Sequence, residues 1–298
     1  MRKRRRRHQW VNELDNLVRG ACGGFLFGIP LLYTMEVWWI GSFVEPIWML
    51  GAIAISFVVI FLINRTAGFR KSSGIRFEDA AMETIEAIAI GILCTLLMLI
   101  LLQEITPQVP LDEVLGKVIF EGIPFTLGVA LANQFLSGGE SDQPDQSDKQ
   151  AADSAKKSTR PQNTDELNGT LSDVGGTLLG AAIVAFSIAP TDEVPMIASA
   201  VSGPWLLAFI AASLLISYAV VFEAGFANQS KRREQQGLFQ KPLGETLMSY
   251  LVSLMAATVM LLFFRQLSLS DPWQLWLTFT LVLGLPATIG GAAGRLAV

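Results

Sequence analysis

The chain has 298 residues, 51% hydrophobic and 16% charged, against about 25% charged in ordinary soluble domains. With a mean hydropathy of +0.46 this excludes a purely soluble enzyme or binding module and points to a polytopic membrane protein. The net charge of −4 is dominated by one acidic internal segment and says little about partners.

Residues 1–20 open with MRKRRRRH and read as a basic cytoplasmic tail. Mostly polar residues separate the arginines from the first apolar run, and no A-x-A cleavage site follows. The tail suits anionic lipid and is read as an orientation signal, with no nucleic acid as partner. It also holds the single histidine, His8, which leaves histidine catalysis out of the membrane.

Eight apolar runs follow. Span 1 is expected over Ala21–Ile40, with Gly20, Gly24 and Gly28 spaced for close helix approach and Pro30 as a kink. Trp38 and Trp39 suit the far membrane interface. Span 2 covers Pro46–Ile63, span 3 Ala81–Leu102 and span 4 Leu115–Leu136. Pro124 is a second expected kink, and Lys117 and Glu121 form an expected ion pair near the start of span 4. Residues 137–170 hold almost no large apolar side chain and read as a disordered cytoplasmic linker. Span 5 covers Val174–Ile188, and Pro190 to Pro195 should break the helix after it. Span 6 covers Pro204–Phe222, span 7 Leu243–Phe264 and span 8 Trp273–Gly290, with Pro286 as a third kink. Cys22 and Cys94 both lie in apolar runs, with neither a metal spacing nor a disulfide framework.

Lysine and arginine fall in the tail, the Arg65–Arg76 loop, the linker, the Lys231–Lys241 loop and the Arg295 end, while the intervening loops are almost free of them. The positive-inside rule therefore places both termini in the cytoplasm.

The chain also repeats itself. At an offset of 157, Thr34-x-Glu36-Val37 meets Thr191-x-Glu193-Val194, Trp48 meets Trp205, and fourteen of the thirty-six positions from Thr34 to Phe69 are identical. After the basic loops the offset becomes 162, where Glu83-Thr84 meets Glu245-Thr246 and Pro124-x-Thr-x-Gly meets Pro286-x-Thr-x-Gly. Apolar composition alone does not align Glu, Trp, Pro and Gly in order. The expected fold is thus all-α: a transmembrane bundle of two parallel four-helix repeats, 21–136 and 171–298.

Carboxylates inside a membrane are costly and mark functional sites by default. An outer pair, Glu36 and Glu193, with hydroxyls at Thr34 and Thr191, and an inner pair, Glu83 and Glu245, would form an acidic route around a pseudo-twofold axis. Such a route suits a cation or a proton. The plainer alternative is an interfacial Glu36, with Glu83 and Glu245 stabilising helix N-termini. No phosphate-binding loop, nucleophile elbow or zinc-binding helix motif occurs, so no catalytic residue, cofactor or defined metal site is expected, and the chain does not read as an enzyme.

The stretches Gly28-Ile-Pro-Leu-Leu-Tyr-Thr-Met-Glu36-Val-Trp-Trp39 and Thr191-Asp-Glu-Val-Pro-Met-Ile197 resemble a family of bacterial integral membrane proteins of unknown function. The resemblance implies a multi-pass protein of the bacterial inner (plasma) membrane, and supplies no activity. On its own residues the chain reads as a transporter or channel for a cation or proton, compatible with a homo-oligomer; the alternative is a non-transporting assembly factor or sensor with structural carboxylates.

Overall fold

In a computed structural model of the chain, residues 2–68, 77–136, 162–223 and 242–297 are described, with side chains over 13–65, 77–132, 170–222 and 242–297. All regular structure among them is helical. The first half holds α1 (Arg2–Leu32), α2 (Met35–Phe43), α3 (Pro46–Gly68), α4 (Phe77–Leu101) and α5 (Leu111–Leu136). The second holds α6 (Gln162–Ile188), α7 (Glu193–Ala200), a 3-10 turn (Gly203–Trp205), α8 (Leu206–Tyr218), a π turn (Ala219–Glu223), α9 (Pro242–Phe263) and α10 (Trp273–Ala297). Seven helical stretches are long and apolar enough to cross a membrane, or eight if the bent pair α1–α2 counts as one span.

In each half the last helix is the hub. α5 packs on α1, α2, α3 and α4, and α10 packs on α6, α7, α8 and α9. Glycines permit this closeness. A Cβ on Gly290 would lie 2.5 Å from the Gly180 carbonyl oxygen, and one on Gly23 2.6 Å from that of Gly128. The expected spacing of Gly20, Gly24 and Gly28 does face α5, but the tightest approach falls on Gly23. The turns after α4 and α9 also match: Gln103 and Arg265, 162 apart, both have positive φ, 63° and 60°.

Four expectations need correction. Span 1 is not one helix. α1 ends at Leu32, and α2 leaves at 90°. The break falls at Tyr33-Thr34, not at Pro30; Pro30, Pro124 and Pro286 all lie inside continuous helices. Pro30 still weakens the last turn of α1, because it cannot donate to the carbonyl four residues back. Secondly, helix begins at Gln162, so the linker cannot extend to residue 170. Residues 137–161 lie outside the described residues, as do most of the two basic loops. Thirdly, the basic tail is helical from Arg2 and continuous with α1. Fourthly, only Trp39 is exposed as an interfacial residue should be, while Trp38 is buried.

Candidate functional site

A helix broken at membrane depth exposes backbone groups that lipid cannot satisfy. Around Tyr33-Thr34 side chains satisfy them. The buried Trp38 donates its indole Nε1–H to the Leu32 carbonyl at 2.8 Å, closing the C-terminus of α1. At the start of α2, the Met35 N–H donates to Glu193 Oε1 at 3.3 Å. Tyr33 donates its hydroxyl to the Val282 carbonyl at 2.8 Å, pinning the break to the hub helix of the other half.

Glu193 is buried because it begins α7 immediately after the proline break and turns inward with Val194 and Ile197. Its Oε1 meets the positive end of α2, and its Oε2 has no partner among the described residues. Replacing Glu193 with alanine should cost about 1 kcal/mol or more, as cap removals do, while Glu193→Gln keeps an acceptor and should cost less. Thermal unfolding of the two variants in detergent checks the order.

The two copies of the Thr-x-Glu-Val motif therefore meet, but unequally. Glu36 lies exposed on α2 and does not join Glu193 in a shared cavity. Thr34 caps α2 through its backbone only. Thr191 donates its hydroxyl to the Ile188 carbonyl at 2.6 Å, and its own carbonyl accepts from Gln266.

The inner pair is also unequal. Glu83 is exposed on α4, beside Asp79 and Glu86 on the same face. Glu245 Oε2 lies 3.1 Å from Arg295 Nη2, and Asp173 Oδ2 lies 3.7 Å from the same nitrogen. The hydroxyls of Thr84 and Thr246 donate to carbonyls one turn back, at 2.7 and 2.8 Å. The polar stripe below Glu245 is packing: Ser249 meets Thr177 at 3.3 Å, and Ser253 bonds the Ser249 carbonyl.

One further carboxylate lies in the core. The expected Lys117–Glu121 pair does not form. Lys117 is held by Glu104 at 3.1 Å and Glu113 at 2.9 Å, in the N-terminal part of α5. Glu121 is buried one turn further along α5, and its Oε1 has no partner among the described residues. Ten residues separate it from the start of α5, so at ~1.5 Å per residue it lies ~15 Å along the helix from that end. Its lack of a repeat partner counted against it in the sequence, since Leu283 occupies the matching position. The usable signal was an acid one turn past a lysine already flanked by Glu113 on the same helix face.

No three His, Cys, Asp or Glu side chains among the described residues are grouped to hold a metal ion. A hollow between α3, α4 and α5, edged by Ser56 and Thr126, contains no carboxylate.

Residues 16–298 match the family described as "Putative integral membrane protein (DUF2391)". The chain belongs to that family. No curated protein and no solved structure matches it. This member of DUF2391 is an integral, multi-pass membrane protein whose helices contact the lipid bilayer.

Proposed function

We propose that this DUF2391 protein is a proton or small-cation transporter or channel of the bacterial inner membrane. In this reading it is built from two parallel four-helix repeats, has both termini in the cytoplasm, and catalyses no reaction. The basic tail would rest on anionic lipid. The observation that carries the proposal is the presence of two buried carboxylates, Glu121 and Glu193, each with an oxygen that has no partner among the described residues. An unpaired buried carboxylate costs several kcal/mol unless it is protonated or meets a cation, so groups of this kind are retained where they bind something. Glu36 and Glu83, both exposed, move out of the pathway, and Glu245 becomes a structural partner of Arg295.

A second reading has its own support. The Glu193–Met35 bond and the Glu245–Arg295 pair are what structural carboxylates in an assembly factor or sensor would make. Reconstitution separates the two. Proteoliposomes loaded with a pH-sensitive dye should show proton flux under an imposed gradient, and Glu121→Gln and Glu193→Gln should abolish it with folding intact. Absence of flux in the unmodified protein under proton, sodium and potassium gradients would sink the transport reading.

Glu121→Leu gives an independent check. It installs the residue found at the matching position of the second half and removes an unsatisfied buried oxygen. It should raise stability by about 1–3 kcal/mol while abolishing flux. A thermal-shift measurement reads the gain.

A further inference from the structure

The contact between the two halves runs one way. α1 packs on α10 and on the π turn after α8, while no comparable packing of α6 on α5 or α3 occurs among the described residues. Glu193 of the second half accepts from Met35 of the first. Trp205 of the second half donates its indole N–H to the carbonyl of Leu101, the last residue of α4, at 2.7 Å.

Each of these groups has a counterpart at the repeat offsets: Glu36 for Glu193, Asp192 for Met35, Trp48 for Trp205 and Phe263 for Leu101. A twofold relation would bring the counterparts together as well. Instead Glu36, Trp48 and Phe263 are all exposed.

Burial follows the same asymmetry. The span Gly203–Phe222 is 44% buried, but its counterpart Pro46–Arg65 is only 11% buried. Ile197 is 1% exposed and its counterpart Ile40 56%. On the opposite side, Ile29 of α1 is fully buried while its counterpart Phe186 of α6 is 54% exposed. The first half thus keeps open the kind of surface that the second half uses for docking. The second half keeps open the kind of surface that the first half offers.

We propose that a second copy of this chain fills the gap head to tail: the α2–α3 face of one copy docks on the α6 and α9 face of the next. Glu36 then accepts from the Asp192 N–H of the neighbour, and Trp48 donates to the carbonyl of its Phe263, the outermost residue of α9. Both contacts repeat in another guise what the chain already makes with itself. A heterologous contact repeated in one plane closes into a ring when its rotation divides a full turn. Parallel halves in one bilayer supply the plane. The inference rests on the repeat and not on transport, so its failure leaves the flux prediction standing.

Cross-linking in membranes tests it. Cys22 and Cys94 are first replaced by alanine. Chains carrying Trp48→Cys and chains carrying Phe263→Cys, with different tags, are then co-expressed and treated with a short bifunctional thiol reagent. The expected product is a covalent dimer carrying both tags, with none from either variant alone. A Trp48→Cys chain that couples to itself shows a face-to-face contact and overturns the proposal. So does the absence of mixed product where Leu101→Cys and Trp205→Cys within one chain do couple. The unmodified protein provides a further arm: native mass spectrometry from lipid should give multiples of 32.4 kDa, and a single-chain mass alone contradicts the proposal.

Discussion

Replacing Arg295 with methionine is expected to destabilise the protein by about 2–3 kcal/mol, seen as a fall in the thermal midpoint in detergent. The guanidinium is buried near the end of α10, with Nη2 3.1 Å from Glu245 and 3.7 Å from Asp173, and its carbon lies 5.8 Å from the centre of the Phe222 ring. One side chain therefore ties α10 to α6, to α9 and to the π turn. Removing one partner of a buried ion pair costs roughly 3–5 kcal/mol, because a charge is left uncompensated. Here the two carboxylates keep 24% and 28% exposure, so water screens part of the loss and the estimate falls to about 2–3 kcal/mol. Adding Glu245→Gln and Asp173→Asn to the methionine variant removes the stranded charges and should recover part of the loss. If the triple variant is no more stable than the single one, packing against Phe222 rather than charge holds the corner.

A larger loss is expected at the glycine seam between α6 and α10. A Cβ at Gly290 would lie 2.5 Å from the Gly180 carbonyl oxygen, and a Cβ at Gly294 would run into the Gly176 carbonyl. These obstacles are backbone, which cannot rotate away as a side chain can. Gly290→Ala should cost roughly 3 kcal/mol, and Gly290→Leu should yield no folded protein. Van der Waals contact of this kind is what holds helices together in lipid, where no hydrophobic drive between helices exists. Gly175 on the same α6 is the control. Nothing lies within 4 Å of a Cβ there, so Gly175→Ala should gain roughly 0.5–1 kcal/mol from helix propensity. Opposite signs from one substitution type, at the seam and away from it, separate packing from propensity.

Much of the architecture was legible because it depends on patterns that a sequence carries directly. Apolar runs located the spans from Pro46 onward, although α6 starts at Gln162, well before the expected Val174, and α10 runs to Ala297, past the expected Gly290. Pro190 announced the break between α6 and α7, whereas Pro195 does not break helix but sits in the first turn of α7, where a proline is tolerated. The two hub helices, Leu111–Leu136 and Trp273–Ala297, each packing on the other helices of its own half, were not legible in the sequence. What failed depends on contacts distant in sequence. The bend at Tyr33-Thr34 has no strong local signal beyond Pro30. It is held by Trp38 beside it and by Glu193 and Val282 from the other half. Equivalence in sequence also suggested equivalence in role, and this misled the reading of the glutamates. Two matching positions acquire different environments once one half docks on the other, so Glu193 is buried while Glu36 is not. Glu121 was assigned to an ion pair with Lys117, since it has no copy in the second half. Its significance comes from Lys117 turning toward Glu104, a residue in the preceding loop that periodicity along α5 does not place.

The central claim of the proposed function is that the buried Glu121 carboxyl takes up a proton inside the membrane. Infrared difference spectroscopy of the reconstituted protein, between acidic and alkaline buffer, reads this directly. The account predicts a carboxylic-acid band that appears on acidification and disappears in Glu121→Gln. A spectrum unchanged by that substitution across the whole pH range would contradict it.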